Sequence, residues 1–564
     1  MASSIADLEA RLAAVERRLA TLEGSAAEPE QHPPETDVAE RGDGFAAAAS
    51  AQVGRVLLIF GGAFFLRAIT EAEYVPTLLG LLLGAAYAVW WLLLAYRTAG
   101  NEALRTRASF LAGASVLLTL PLLHEAATTF AALSGPQGVI AIAAYCALAL
   151  AIAARRDMKA LAWLVTGGGI AAALASLAAT QAALSVSVFL LLLGLGTLLV
   201  VYQRQWLGLQ WLGAAGANIG VLALTGLSLT GRWPISPYLS VAMAVALLSV
   251  YLTTFTYQTH LKGRLVNLFE ATQTFFAGAI VLGASGAAIY NGHLDTMTAG
   301  LPALVLGIGG YALAVSRETR ELRYRNFFYY ASFGLVFVLA GTALLLPVAW
   351  AAAIWAMLAM LTAWFSGKTG WVSLSLQCTI LLLAAAGVSN LLVIGFAAMV
   401  GDPASGWVIP EPLQILVALA TVACLFIPVA QRSERWGTLA NMPQIIVLAL
   451  ATWEVGGLLI AMAAIPVAGL TTEDPSLAYL AALRTAVLSI AGVTLAVSSR
   501  YPRWPEARYL VYPVLVLVCI KLFVEDFPLG HPGSLFVALA FIGTALLLAA
   551  PLLKRAVEPE AAAD

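Results

Sequence analysis

Residues 509–527 read YLVYPVLVLVCIKLFVEDF, an apolar stretch that contains one internal lysine, Lys521. A helix needs roughly 20 apolar residues to cross a bilayer, and this stretch is long enough. A charged side chain at membrane depth costs about 2.5–3.5 kcal/mol or more, so it faces protein or a polar cavity rather than lipid. The rest of the chain is therefore expected to surround Lys521 with further membrane helices.

The composition of the whole chain is that of a membrane protein. Of its 564 residues, 61% are hydrophobic and 11% are charged, and the mean hydropathy is +0.88. Soluble domains contain about 25% charged residues. The net charge of −1 gives no reason to expect nucleic acid as a partner. The four cysteines lie in apolar runs without CxxC spacing, so we expect core residues and neither disulfides nor a zinc site.

Eighteen apolar segments follow one another between residues 53 and 555. They predict an all-α fold, an integral membrane bundle of about 18 transmembrane helices. The segments lie at residues 53–69, 76–96, 108–124, 137–154, 160–180, 183–202, 207–229, 237–257, 265–290, 298–315, 327–346, 348–365, 371–399, 413–430, 443–465, 478–498, 509–526 and 532–553.

The distribution of Lys and Arg gives this bundle an orientation. With eighteen spans, twenty-one of the thirty basic residues lie in the loops of one side or are Lys554 and Arg555, just before the predicted cytoplasmic tail at 556–564. Only Arg232 lies in the loops of the other side. Because loops rich in Lys and Arg stay in the cytoplasm, both termini are predicted to be cytoplasmic. The loops on the outer side are too short for a folded domain.

The segment before the membrane domain has two parts. Residues 1–23 carry apolar residues at alternating spacings of three and four, which predict a short cytoplasmic coiled coil or, alternatively, a solvated amphipathic helix. Residues 24–52 are rich in Pro, Glu and small residues and are predicted to be a disordered linker. The charged start lacks the apolar core of a signal peptide. The seam consists of Ile5, Leu8, Leu12, Val15, Leu19 and Leu22.

Three basic residues fall within spans: Arg67, Arg484 and Lys521. A helical rise of about 1.5 Å per residue places them at a similar depth, toward the outside, and places Glu454 near the midplane. In one interpretation Glu454 pairs with Lys521 or Arg484 as structural glue, and Arg67 reaches outward to Glu71. In the other, the three cations and Glu454 line an outward pocket for an anionic group, such as a lipid phosphate or an acidic sugar, with Glu454 as gate or proton relay.

Two carboxylates, Glu525 and Asp526, lie at the outer mouth of the span that contains Lys521. Lys521 and Glu525 are four residues apart, so they share one face of a helix and are placed to pair. The two carboxylates therefore belong to the candidate site.

A second polar stripe begins another span at Asn267, Glu270 and Thr274. The spacing puts these side chains close to one face of a helix. Glu270 lies near the cytoplasmic interface, where a carboxylate can reach water, and a structural role is the favoured interpretation.

Catalytic motifs are sparse. The chain has no Walker A loop, HExxH, GxSxG or dinucleotide fingerprint, so no catalytic residue, cofactor or metal is predicted. The outer-side histidines would form a metal or acid/base site only if they assembled; otherwise they are ordinary loop residues. The chain resembles multi-span membrane glycosyltransferases in its number of helices. Those enzymes, however, carry acidic catalytic residues in a long first outside loop. Here that loop is only TEAEYV, which weighs against the resemblance. The outer-side candidates are His124 with Glu125, His293 with Asp295, and His531.

Several stretches resemble the bacterial membrane proteins grouped as domain-of-unknown-function family 2339. They are LEARLAAVERRLATLE with its Pro-rich tether, GRVLLIFGGAFFLRAITEAEYVP, AWAAAIWAMLAMLTAWFSGK and IKLFVEDFPLG. The family's Trp-Ala helix usually has a glutamate where this chain has Ala356, Met357 and Leu358, so that glutamate's role does not transfer. The resemblance implies many transmembrane helices in a bacterial inner membrane and no established activity.

Three hypotheses for function follow. The leading one is a transporter or lipid translocator in which Arg67, Glu454, Arg484 and Lys521 line an outward basic pocket. The second is a non-catalytic scaffold whose residues 1–23 recruit a partner helix or a second copy of the chain. The third is a membrane-embedded transferase. The expected partners are membrane lipids, with no nucleic acid.

Overall fold

The computed structural model shows a helical protein in two units, Met1–Trp233 and Pro234–Asp564. No strand occurs in the part of the chain that the structure describes. That part comprises residues 54, 58–72, 74–206, 208–231, 233–316, 324–401, 407, 409–427, 441–468, 476–529 and 531–561. The predicted coiled coil at 1–23 and the predicted linker at 24–52 both lie outside these residues.

The first unit consists of antiparallel helices that follow one another through short turns. They are α1 (58–71), α2 (Thr77–Thr98), α3 (Arg105–Thr128), α4 (Gly135–Arg156), α5 (Lys159–Thr180), α6 (Ala183–Arg204) and α7 (Leu209–Leu229).

The second unit continues in the same way and ends in a long helix. It contains α8 (Pro237–Thr256), α9 (Leu268–Tyr290), α10 (Thr296–Val315), α11 (Tyr324–Leu345), α12 (Val348–Thr369), α13 (Val372–Val388), α14 (Leu391–Val400), α15 (Pro412–Phe426), α16 (Met442–Ala468), α17 (Leu477–Ser498), α18 (Arg508–Lys521) and α19 (Pro532–Ala561). A π-helical turn, Leu522–Asp526, extends α18 toward Leu529. Helix α19 continues past the predicted end of its span into residues that were predicted to form the tail.

Fifteen helices in the described ranges are long and apolar enough to cross a membrane. Each coincides with one of the eighteen predicted segments, which confirms a polytopic membrane protein. The remaining three differ. Segment 371–399 is the pair α13 and α14, bent by 66°, and segment 413–430 is the short helix α15. Segment 53–69 is described as a continuous helix only from residue 58. The count of eighteen spans therefore stays a prediction.

The bend between α13 and α14 divides a segment that looks continuous in the sequence. Asn390 adopts a left-handed conformation with φ of 61°. The side-chain amide of Gln414 donates a hydrogen bond of 3.1 Å to the carbonyl oxygen of Ser389 at the break. The Ser389 carbonyl oxygen, which has lost its partner within the helix at the break, thus accepts a hydrogen bond from a side chain instead.

The half-helix α14 packs closely on α16 because both helices carry glycine at the contact. A Cβ built on Gly457 would lie 2.6 Å from the Cα of Gly395. The indole of Trp453 donates to the carbonyl oxygen of Leu392 at 3.4 Å. In lipid, where apolarity gives little drive to associate, such close approach is what lets helices adhere.

We expect Gly457→Ala to destabilise the protein, because the new Cβ would meet backbone and not a flexible side chain. Overpacking of this kind costs about 1–3 kcal/mol, which should lower the midpoint of thermal unfolding in mild detergent. The control is Gly387→Ala on α13, whose Cβ would have no atom within 4 Å. Equal midpoints for the two variants would contradict the proposed contact.

Candidate functional site

Lys521 lies at the centre of a buried ionic network at the end of α18. Its ammonium group is 2.9 Å from Asp526 Oδ2 and 3.0 Å from Glu525 Oε2, and it also donates to Thr485 Oγ1 and the Ala481 carbonyl oxygen, each at 2.8 Å. A π-helical turn places residue i+5, as well as residue i+4, near residue i. The π turn therefore directs both carboxylates toward one lysine.

Arg484 joins this network from α17 and connects it to the half-helix. Its Nη1 donates to Glu525 Oε1 at 2.6 Å, while Nε and Nη2 donate to the carbonyl oxygens of Ala398 and Gly401 at 2.8 and 2.6 Å. The last carbonyls of a helix have no partner within it and carry partial negative charge. The guanidinium thus caps the C-terminal end of α14.

The network formed by Arg484, Lys521, Glu525 and Asp526 is electrically neutral, with two cations and two carboxylates. Thr485 completes it by donating to Asp526 Oδ2 at 2.7 Å. The predicted pairing of Lys521 with Glu525 is found here. Because every charge has a partner, this network is suited to holding α14, α17 and α18 together and offers no unpaired positive charge to a ligand.

We expect Lys521→Met to destabilise the bundle, because it leaves the Asp526 side chain, which is 3% exposed, without its cation. Breaking a buried ion pair by removing one partner costs about 3–5 kcal/mol. Unfolding by a denaturing detergent should therefore begin at a lower concentration. The double variant Lys521→Met with Asp526→Leu should recover much of the loss.

The control for this experiment is Arg105→Met. Arg105 is the first residue of α3, and the substitution removes its exposed salt bridge with Glu102. Exposed pairs contribute roughly 0–1 kcal/mol, so little change is expected. If the single and double variants at Lys521 and Asp526 unfolded alike, the role of the network as a paired unit would be refuted.

Glu454 is not part of this network. It lies on α16 and is 0% exposed, and neither carboxyl oxygen has a hydrogen-bond partner among the described residues. The predicted pairing of Glu454 with Lys521 or Arg484 is therefore not found, since both cations are occupied by Glu525 and Asp526.

Arg67 lies in the first unit and has carboxylate partners of its own. Its Nε donates to Glu71 at 2.8 Å, as predicted, and its Nη1 donates to Glu125 of α3 at 2.9 Å. Sequence reasoning missed Glu125 as a partner. The available signal was topological, because α1 and α3 are both predicted to end at the outer face of the membrane, near these residues.

A cavity of about 310 Å³ opens beside Arg67 between α1, α2 and α3. We call it the Arg67 groove. Gly80 and Gly84 of α2 lie in its lining, and so do Arg67 and Glu125. Most of the remaining lining is apolar, and includes Phe60, Phe64, Leu81, Leu118, Leu122 and Phe130. The groove therefore combines apolar walls with an ionic group.

The predicted polar stripe forms a helix cap at the start of α9. Asn267 Oδ1 accepts from the backbone N–H of Glu270 at 2.8 Å, and Glu270 Oε2 accepts from the backbone N–H of Asn267 at 2.9 Å. This is a reciprocal capping box. The hydroxyl of Thr274 shares a hydrogen bond of 2.7 Å with that of Tyr329. These contacts give the stripe a structural role.

The other polar candidates are engaged separately. His124 is bonded to Ser176 at 3.1 Å, and His531 contacts the ring of Tyr479. Asp295 caps α10, and hydrogen bonds from the side chain and backbone of Thr298 lower the pKa of its carboxyl. Across the described ranges, no group of three or more His, Cys, Asp or Glu residues could hold a metal ion.

The cysteines behave as small core residues. Cys146, Cys378 and Cys424 are buried, as the sequence predicts, and are free of disulfides. Cys519 is partly exposed and also free of a disulfide. None of the four forms part of the ionic network or of the Arg67 groove.

Comparison with known proteins adds no family to this description. A scan against protein-family models finds none that matches the chain, and searches of curated proteins and of solved structures find no match either. The chain is thus described as a polytopic membrane protein on its own sequence and helices, and its resemblance to family 2339 stays a prediction.

Proposed function

We propose that this protein is a transporter or lipid translocator of the bacterial inner membrane, and that the Arg67 groove binds a membrane phospholipid. The observation that supports this is the cavity of about 310 Å³, with apolar walls, that contains the Arg67 guanidinium. An apolar body beside a charged group matches the two parts of a phospholipid. Both termini are taken as cytoplasmic, as the Lys and Arg distribution predicts.

The walls of the groove suit an acyl chain. Ligand sites commonly have volumes of about 300–1,000 Å³, and this groove lies at the lower end of that range, so it suits part of a lipid. Phe64 lines it and is 64% exposed, so one side of the groove is open. Covering such a side chain with an acyl chain adds van der Waals contacts that an empty groove lacks.

The guanidinium suits the phosphate. Nε and Nη1 of Arg67 are occupied by Glu71 and Glu125, which leaves Nη2 without a partner among the residues described around it. Arginine donates to phosphate oxygens in a fixed planar geometry, and such charge-assisted bonds are stronger than neutral ones. Nη2 is therefore the atom assigned to the phosphate.

The two carboxylates narrow the choice of head group. One cation and two carboxylates give this end of the groove a net charge of −1. A purely anionic head group would be repelled by Glu71 and Glu125. A head group with both a phosphate and a primary ammonium can pair with Arg67 and with these carboxylates at once. We therefore assign phosphatidylethanolamine rather than the purely anionic ligand that the sequence suggested.

We expect the purified protein to retain phosphatidylethanolamine in preference to phosphatidylglycerol when both are supplied equally in mild detergent. Native mass spectrometry measures the bound lipid. Arg67→Met should lose the lipid, because the phosphate loses its donor, whereas Glu125→Gln should keep lipid and lose the preference. Arg105→Met, at the opposite end of α3 from Glu125, is the matched control and should behave as the unmodified chain.

Two results would count against the proposal in different ways. Lipid retention by Arg67→Met equal to that of the control would remove the groove as the site. Equal retention of the two lipids by the unmodified chain would contradict the assignment of phosphatidylethanolamine, but not the assignment of the groove as a lipid site.

The scaffold hypothesis rests on residues 1–23, which lie outside the described part of the chain. Deletion of residues 1–43 separates it from the groove. We expect the shortened chain to keep its bound phospholipid, because the groove is built from α1, α2 and α3. If instead lipid retention is lost although the protein still inserts, the N-terminal segment and not the groove carries the activity. Light scattering would report whether self-association depends on the same segment.

A further inference from the structure

The surroundings of Glu454 point to a second site, in the other unit and independent of the groove. We propose that Glu454 is a proton-binding site within the membrane. It carries its proton in the conformation described here and releases it only when water or a cation reaches the carboxyl. The ligand of this site is thus the proton itself.

Burial without a partner is the first observation. Glu454 is 0% exposed, and both of its carboxyl oxygens are without a hydrogen bond to any described residue. An isolated ionised carboxylate in an apolar interior is far more costly than the neutral acid. The neutral acid is therefore the form that this packing accommodates.

The charged and titratable groups of neighbouring helices do not change this conclusion. Glu454 is the sole ionisable residue of α16, and α14 has none. The elements that pack on α16 are α13, α14, α15, α17, α18 and the turn Pro505–Ala507. Neither oxygen of Glu454 is bonded to any titratable group on them. Those groups are Cys378, Cys424, Tyr479, Arg484, Glu506, Arg508, Tyr509, Tyr512, Cys519 and Lys521.

The position of Glu454 connects its charge to the broken helix. The adjacent Trp453, and Gly457 one turn further, form the contact between α16 and the half-helix α14. An ionised Glu454 would need water or a cation beside it, and this would require the closely packed helices to separate. Interrupted membrane helices are where secondary transporters place their coupling ions, so a proton site beside α14 is consistent with transport.

The test uses dicyclohexylcarbodiimide, an apolar reagent that reacts with protonated carboxyl groups. The acid O–H adds across one C=N bond: the carboxyl oxygen bonds to the central carbon and the proton goes to nitrogen. Acyl migration then gives a stable N-acylurea with no leaving group. We expect peptide mass spectrometry of the full chain in liposomes to find this adduct on Glu454 at neutral pH, and to find it diminishing as the pH is raised.

Matched variants and reagents define the outcome. Glu454→Gln should lose the adduct, while Glu525→Gln should keep it on Glu454. A water-soluble carbodiimide should label the exposed Glu71 and not Glu454. Absence of the adduct at every pH, or its appearance on the ion-paired Glu525 to the same extent, would overturn the proposal.

Infrared spectroscopy gives a second measurement that does not depend on the reagent. The unmodified chain should show the C=O band of a carboxylic acid in an apolar environment, and Glu454→Gln should lack it. A spectrum of the unmodified chain without that band would also overturn the proposal. Lipid retention is not involved in either measurement, so failure here and failure of the groove can be told apart.

Discussion

The structure depends on one constraint: an ion in the membrane interior must have a counter-charge within reach. Lys521 and Arg484 meet it through Glu525 and Asp526, which a π turn brings to the same side of α18. The same requirement places the Arg484 guanidinium against carbonyl oxygens at the C-terminal end of the half-helix α14. Three helices that lipid alone would leave weakly attached are consequently joined at one point.

The four ionisable groups that the sequence places at membrane depth have three different kinds of surroundings. The Arg484 and Lys521 network is closed and neutral, which fits a structural element. Arg67 is part of a cavity and is outnumbered by its carboxylates, which fits recognition of a head group with both signs of charge. Glu454 is buried and has no hydrogen-bond partner among the residues that the structure describes, which fits a group that exchanges a proton. Charge balance, and not depth, distinguishes them.

The sequence predicted whatever is determined within one helix. The fifteen coinciding spans follow from apolar length, and the pairs of Lys521 with Glu525 and Arg67 with Glu71 follow from a spacing of four residues. Contacts between helices were not accessible, because Arg67 and Glu125 are 58 residues apart and nothing local determines which spans are neighbours. The break at Asn390 was also missed, because no proline marks it.

The π turn Leu522–Asp526 also determines which face the residues after it present to the neighbouring helices. A helix advances by about 100° per residue, and a π turn is an α-helix with one residue inserted. Homologous chains that lacked this residue would present a different face from Phe527 onward and would withdraw Asp526 from Lys521. Homologous chains should therefore vary in length in their loops but hardly at all between Lys521 and Phe527. In an alignment of such chains, the absence of gaps would mark the segment that holds the buried charges.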